Sequence, residues 1–154
     1  MQGDRAAEES RRESVPMKRT VLMVEDCLTT AHLQEFALKV RDFEVEIARD
    51  GMEALEKLYQ DPDRFDLLIA DLLMPRMDGL TLVRKLRQHE AFSDLPIIIL
   101  TSEHEEESKR ESLRAGADLY LTKPTAMETL VAHMEMLLGG IGRWTREAPE
   151  SRQR

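Results

Sequence analysis

The chain has 154 residues, 42% hydrophobic and 34% charged, with a formal net charge of -8. That length has room for one domain with a real core and hardly for two. The acidic balance argues against a surface built to neutralise nucleic-acid phosphates, and no apolar run reaches the roughly 18 residues that span a bilayer.

The single cysteine, Cys27, excludes an internal disulfide and fits a reducing compartment. The N-terminus, MQGDRAAEESRRESVPMKR, mixes both signs of charge and has no apolar h-region, so it is not a secretory signal. A cytoplasmic protein is expected, with no membrane contact and no direct nucleic-acid contact. Residues 1–18 read as a disordered tail, 19–139 as the folded domain and 140–154 as a C-terminal tail.

From Thr20 the pattern changes. TVLMVED is a β-branched and apolar run ending in two acids, the signature of a buried strand. LTTAHLQEFALKV then places Leu33, Phe36, Ala37 and Val40 on one helical face, the kind of stripe that meets a core. FEVEIA alternates as a half-exposed strand does, and GMEALEKLYQ is a short helix with Leu55 and Leu58 inward.

FDLLIAD is a third strand, again ending in an acid. The MPRMDG turn leads into LTLVRKLRQ, with Leu80, Val83 and Leu86 on one face. LPIIILTS is the most apolar strand and is expected to be central. EHEEESKRESLRAG is helical by propensity, with Leu113 its only large apolar residue and Glu105–Lys109 and Glu106–Arg110 at ion-pair spacing. ADLYLTKP supplies a fifth strand. TAMETLVAHMEMLL closes the pattern with Leu130, Met134 and Leu137 inward, and Gly139-Gly140 stops it.

Five β-α alternations predict an α/β fold: a doubly wound, five-stranded parallel sheet with five helices, covered on both sides. Its strand order, 2-1-3-4-5, is carried over from flavodoxin-like sheets with this alternation and does not follow from the residues. In such a sheet the C-terminal strand ends line the crevice where ligands bind. Those ends carry Glu25 and Asp26, Asp71, Thr101 and Lys123.

Three carboxylates in one pocket repel one another unless a cation joins them. Oxygen-only ligands select a hard ion, and a few carboxylates plus water is the habit of Mg2+. Zinc is disfavoured, because no cysteine or histidine stands at ligand spacing. A carboxylate beside Mg2+ and a lysine suits in-line phosphoryl transfer, with Asp71 as nucleophile. Lys123 and the metal would share the charge of the transferring group, and Thr101 would donate to a phosphoryl oxygen. His32, His89, His104 and His133 lack paired spacing and should face solvent.

In order and spacing, VLMVED, DLLMPRMDG, LPIIILTS and AGADLYLTKP resemble the receiver domain of bacterial two-component response regulators, across Lys18 to Leu138. The resemblance implies that Asp71 is the phosphoacceptor and that Glu25 and Asp26 are the acidic pair. Asp26 would bind Mg2+ directly, Glu25 through water, and the backbone carbonyl of Leu73 would supply another ligand. Thr101 and Lys123 would be the switch hydroxyl and the lysine, Tyr120 the switch aromatic, and Lys123-Pro124 the family's often cis pair.

The resemblance further implies a phosphohistidine donor on a sensor histidine kinase or histidine phosphotransfer protein, and a downstream protein target. Output would pass through the face formed by the fourth helix, fifth strand and fifth helix, and the poorly anchored fourth helix is expected to be the element that shifts. The expectation is a stand-alone, chemotaxis-regulator-like receiver, a signalling module that catalyses only its own phosphorylation and dephosphorylation. A phosphorelay intermediate and a constitutive scaffold with an unused pocket are the alternatives. An aspartyl phosphatase of the haloacid-dehalogenase type is disfavoured, because no D-x-D motif follows the first strand.

Overall fold

The computed structural model describes residues 18–139. The two tails, with Ile141 and Trp144, lie outside the described residues. Five strands, β1 (Arg19–Val24), β2 (Phe43–Ala48), β3 (Leu67–Ala70), β4 (Ile97–Thr101) and β5 (Leu119–Thr122), pair in parallel in the order β2-β1-β3-β4-β5. Five helices connect and close them: α1 (Leu28–Lys39), α2 (Gly51–Gln60), α3 (Gly79–Arg87), α4 (Glu106–Ala115) and α5 (Met127–Leu137). The expected doubly wound, flavodoxin-like sheet is present. Its middle strand is β3, with the all-buried β4 one place further out.

The sheet divides the core in two because successive strand residues point to opposite faces. Leu22, Val24, Leu68, Ala70, Ile97 and Ile99 face one way and pack with Leu55 and Leu58 of α2 and Leu82 and Leu86 of α3. Val21, Met23, Leu67, Ile69, Ile98 and Leu100 face the other way and pack with Leu38 of α1 and Leu130 and Met134 of α5. Interior strands buried on both faces read as continuous apolar runs, which is how TVLMV, LLIA and IIILT are composed.

Helix α1 departs from its sequence pattern. Ala31 and Leu38 are the residues that bury, whereas Leu33, Phe36 and Val40 are 67%, 71% and 65% exposed. At 100° per residue the two sets lie on opposite sides of the helix. The apolar stripe read as the core face therefore looks outward, and the narrower face, carrying one alanine and one leucine, fits the sheet.

Helix α4 departs as well. It buries Ser112, whose hydroxyl donates to the Ser108 carbonyl at 2.8 Å, and leaves Leu113 exposed. Glu105 lies outside the helix as its N-cap, so the expected four-residue pairs give way to Glu107–Arg110 at 3.0 Å. The helix is anchored at its C-terminus: the Arg87 guanidinium donates from Nε and Nη2 to the Gly116 carbonyl, at 3.0 and 2.8 Å. His32, His89 and His104 are exposed as expected, but His133 is half-buried, with its Nδ1 unpartnered among the described residues.

Candidate functional site

Four strand ends build the site. Beyond β1, Glu25 continues the ladder, donating its N–H to the Ala48 carbonyl at 2.9 Å, and its side chain is buried. Beyond β3, the Asp71 N–H donates to the Val24 carbonyl at 3.1 Å, which seats Asp71 beside the tip of β1. Thr101 ends β4 fully buried, and the Lys123 N–H donates to its carbonyl at 2.8 Å. Backbone pairing thus fixes the origin of each side chain before any side-chain contact forms.

The side chains then converge. The Thr101 hydroxyl donates to Asp71 Oδ1 at 2.7 Å, and the Leu73 N–H donates to the same oxygen at 3.1 Å. Lys123 Nζ donates to Asp71 Oδ2 at 2.9 Å and also to Glu25 Oε1, in a very short contact. The second Glu25 oxygen accepts the Cys27 N–H at 3.2 Å. Asp71, Glu25, Thr101 and Lys123 are thereby brought together, while Asp26 stands exposed beside them. The Lys123-Pro124 peptide is cis.

Electrostatically this is two buried carboxylates on one ammonium. Burial alone pushes the Lys123 pKa down, but the hydrogen bonds to Glu25 and Asp71 outweigh it and hold the group above its ordinary value. One negative charge is left over, with Asp26 at the rim. Among the described residues no three His, Cys, Asp or Glu side chains form a metal cage by themselves. Part of the cation expected to reconcile the acids is the lysine. The donors present still suit Mg2+, which takes one or two carboxylates and keeps several waters. Glu25 Oε1 and Asp71 Oδ2 both meet the Lys123 ammonium, and the acceptor atoms lining the site are oxygens.

Tyr120 is buried, and its hydroxyl donates to the Glu103 carbonyl at 2.8 Å. Burial first, and then the nearby charges of Glu103, Asp71 and Glu105, raise its pKa. The Glu103 N–H in turn donates to the Thr101 hydroxyl oxygen at 3.3 Å. Tyr120 is therefore connected to Asp71 through Glu103 and Thr101.

The sequence pattern missed Asp50 and Arg76. Asp50 is buried and caps α2 by accepting the Glu53 N–H at 2.9 Å, and Arg76 Nε donates to its other oxygen at 2.6 Å. Arg76 sits at φ 62° in the loop between β3 and α3, so this pair ties the loop that carries Leu73 to the start of α2. The cap was detectable, since an acid three residues before Glu53 is a helix-start signal. The partner across 26 residues was not.

A profile of the response regulator receiver domain matches residues 21–135. Response regulator MprA of Mycobacterium ulcerans is 41% identical over 122 residues, 79% of this chain and 51% of that protein. The chain thus spans about half the length of the curated relatives it matches. The solved chemotaxis protein CheY4 of Vibrio cholerae is 35% identical with a TM-score of 0.73, over 79% of this chain and 100% of that one. The signal receiver domain of a signal transduction histidine kinase from Syntrophus aciditrophicus is 35% identical with a TM-score of 0.74, over 84% and 97%. The chain belongs to the response regulator receiver domain family of two-component systems.

Proposed function

We propose that Asp71 accepts a phosphoryl group from a phosphohistidine, on a sensor histidine kinase or histidine phosphotransfer protein, in a Mg2+-dependent reaction. An Asp71 carboxylate oxygen bonds to phosphorus as the P–N bond breaks, and the imidazole leaves with the electron pair and is protonated by solvent. Lys123 stays on the anionic group, and Thr101 turns its hydroxyl from the carboxylate to a phosphoryl oxygen. Asp26, Asp71, the Leu73 carbonyl and, through water, Glu25 would hold the cation, which would supply Lewis-acid neutralisation of the phosphoryl oxygens.

The single observation that carries this reading is the convergence of Thr101 and Lys123 on opposite oxygens of one buried carboxylate, at 2.7 and 2.9 Å. The rest of the reading follows from it. The domain catalyses only the formation and hydrolysis of its own acyl phosphate. Leu73, 58% exposed and apolar, offers no side-chain hydrogen bond to an attacking water. Signal passes to a protein target through the α4–β5–α5 face, on which Tyr120 and Glu103 respond to Thr101.

The stand-alone role belongs to the same proposal. The chemotaxis protein and the receiver domain of the histidine kinase are both covered nearly in full, and the curated relatives run to about twice the matched length. Incubation with phosphoramidate and Mg2+, followed by intact-mass measurement, tests the chemistry. A gain of about 80 Da that is lost in Asp71→Asn and without Mg2+ supports the proposal; an unchanged mass overturns it.

A further inference from the structure

Among the described residues two that are not glycine have positive φ, Asp42 at 68° and Arg76 at 62°. Aspartate enters that region comparatively readily, and arginine does not. At Arg76 the chain reverses within three residues, the Met77 N–H donating to the Pro75 carbonyl at 2.6 Å. With a positive φ at its centre this is the rare, strained form of the γ-turn. Such a conformation persists only where its surroundings over-determine it, and it concentrates at functional sites.

The surroundings are the first residues of α2. Arg76 Nε donates to Asp50 Oδ2 at 2.6 Å, and the Gly51 N–H donates to the Met77 carbonyl at 3.3 Å. A β-carbon on Gly51 would stand 2.8 Å from Met77 Cγ, so the helix start lies directly against the turn. Asp50 is itself held, buried and with its other oxygen accepting the Glu53 N–H at 2.9 Å. Two residues earlier, the Ala48 carbonyl accepts the Glu25 N–H at 2.9 Å. One short segment, residues 48–51, therefore holds the strand tip that carries Glu25 and Asp26 on one side and the loop that carries Leu73 on the other.

We propose that Asp50 and Arg76 are positioning residues for the cation of the phosphoryl-transfer site. The inference rests on the Mg2+-dependent reading above and adds the device that sets the spacing between the cation's ligands. Neither residue bonds Asp71; both act through the loop. Leu73, three residues before Arg76, gives its N–H to Asp71 Oδ1 at 3.1 Å and would give its carbonyl to the cation. Clamping the turn fixes where that backbone lies relative to Glu25 and Asp26. Mg2+ demands near-ideal octahedral geometry, so loosening the loop weakens the site without removing a ligand. Partners that orient metal ligands in this way change metal affinity by roughly 10–100-fold.

Calorimetric titration of the full chain with Mg2+ provides the test. Arg76→Gln should raise the Mg2+ Kd about ten-fold. Arg76→Lys, which keeps a cation opposite Asp50, should recover part of that loss. The Arg76 side chain is 62% exposed, so both variants should keep the far-UV circular dichroism of the unsubstituted chain. Labelling by phosphoramidate separates positioning from general damage: Arg76→Gln should need more Mg2+ for half-maximal rate, yet reach the unsubstituted rate when Mg2+ is saturating. A tie that is merely structural would lower the urea midpoint and leave the Kd where it was. An unchanged Kd in Arg76→Gln, or a rate that saturating Mg2+ does not restore, overturns the proposal. Asp26→Asn is the control for the reading beneath it. Binding that is lost in Asp26→Asn but indifferent to Arg76→Gln sinks the clamp alone. Mg2+ that does not bind the unsubstituted chain, or binds Asp26→Asn as tightly, sinks both.

Discussion

The Tyr120 hydroxyl lies 2.8 Å from the Glu103 carbonyl and donates to it, two residues beyond the threonine that holds Asp71. Glu103, within the loop between β4 and α4, is thus held on both sides, its carbonyl by the phenol and its N–H by the Thr101 hydroxyl. A hydrogen bond of this type contributes about 1 kcal/mol net. Tyr120→Phe keeps the ring in the core and removes only the bond, so amide exchange at residues 102–105 should quicken about five-fold, by that same figure. An unchanged exchange rate would mean the loop is held by something other than Tyr120.

Lys123 is the counter-charge for two buried carboxylates, and removing it leaves both uncompensated. Breaking a buried pair costs about 3–5 kcal/mol. Lys123 is only half-buried, so solvent screening lowers the expected loss to roughly 1–3 kcal/mol. Lys123→Met should therefore unfold at lower urea, and added Mg2+ should stabilise it more than the unsubstituted protein, since a bound cation replaces the missing ammonium. If Mg2+ raises both midpoints equally, the lysine and the metal do not share the same charge.

The sheet and the four strand tips that meet in the site are legible because parallel interior strands bury both faces and leave an unmistakable apolar run; the strand order is carried over from flavodoxin-like sheets and is not written in the residues. Helices are less legible where more than one face is apolar. Leu33, Phe36 and Val40 outweigh Ala31 and Leu38 in any periodicity, yet a small residue such as Ala31 is what permits close approach to the sheet. The α4 helix shows the converse. Its buried position is Ser112, satisfied by its own backbone, and its anchor is Arg87, distant in sequence. A pattern of apolar residues contains no signal for either. The sequence places Lys123 in the same hollow as the acids but does not show that its ammonium bonds Glu25 and Asp71 at once, which is what supplies one positive charge from within.

Gly79 opens α3 directly under the phosphoacceptor. A β-carbon there would stand 2.3 Å from the Asp71 carbonyl oxygen and 3.0 Å from Leu72 Cα, both backbone atoms that cannot swing aside. Gly79→Ala must therefore push α3 away from β3 or displace Asp71 itself. A loss of roughly 1–3 kcal/mol is expected for such overpacking, together with slower labelling by phosphoramidate at temperatures where the variant remains folded. Normal stability and normal labelling would show that the loop relaxes freely and that this close approach is incidental.

The Asp50–Arg76 pair gives the β3–α3 loop a pH dependence of its own. The Arg76 hydrogen bond, opposed by burial and assisted by the Glu53 N–H, holds the Asp50 carboxyl below its ordinary value of 3.8. A depressed carboxyl binds fewer protons folded than unfolded, so it contributes stability above its unfolded pKa and loses it as pH falls through the folded one. Asp50→Asn keeps an acceptor for the helix cap but cannot titrate. Urea midpoints of the two proteins should differ by a constant amount above about pH 5 and converge as pH is lowered below 4, the unsubstituted protein falling faster. Arg76→Gln should weaken the same pH dependence while leaving the cap in place. A gap between Asp50→Asn and the unsubstituted protein that stays constant into the acid range would show that the carboxylate is not charged-paired in the folded state. The loop bearing Leu73 would then be held by its other bonds, among them the Gly51 N–H to the Met77 carbonyl at 3.3 Å and the Gly79 N–H to the Leu72 carbonyl at 3.0 Å.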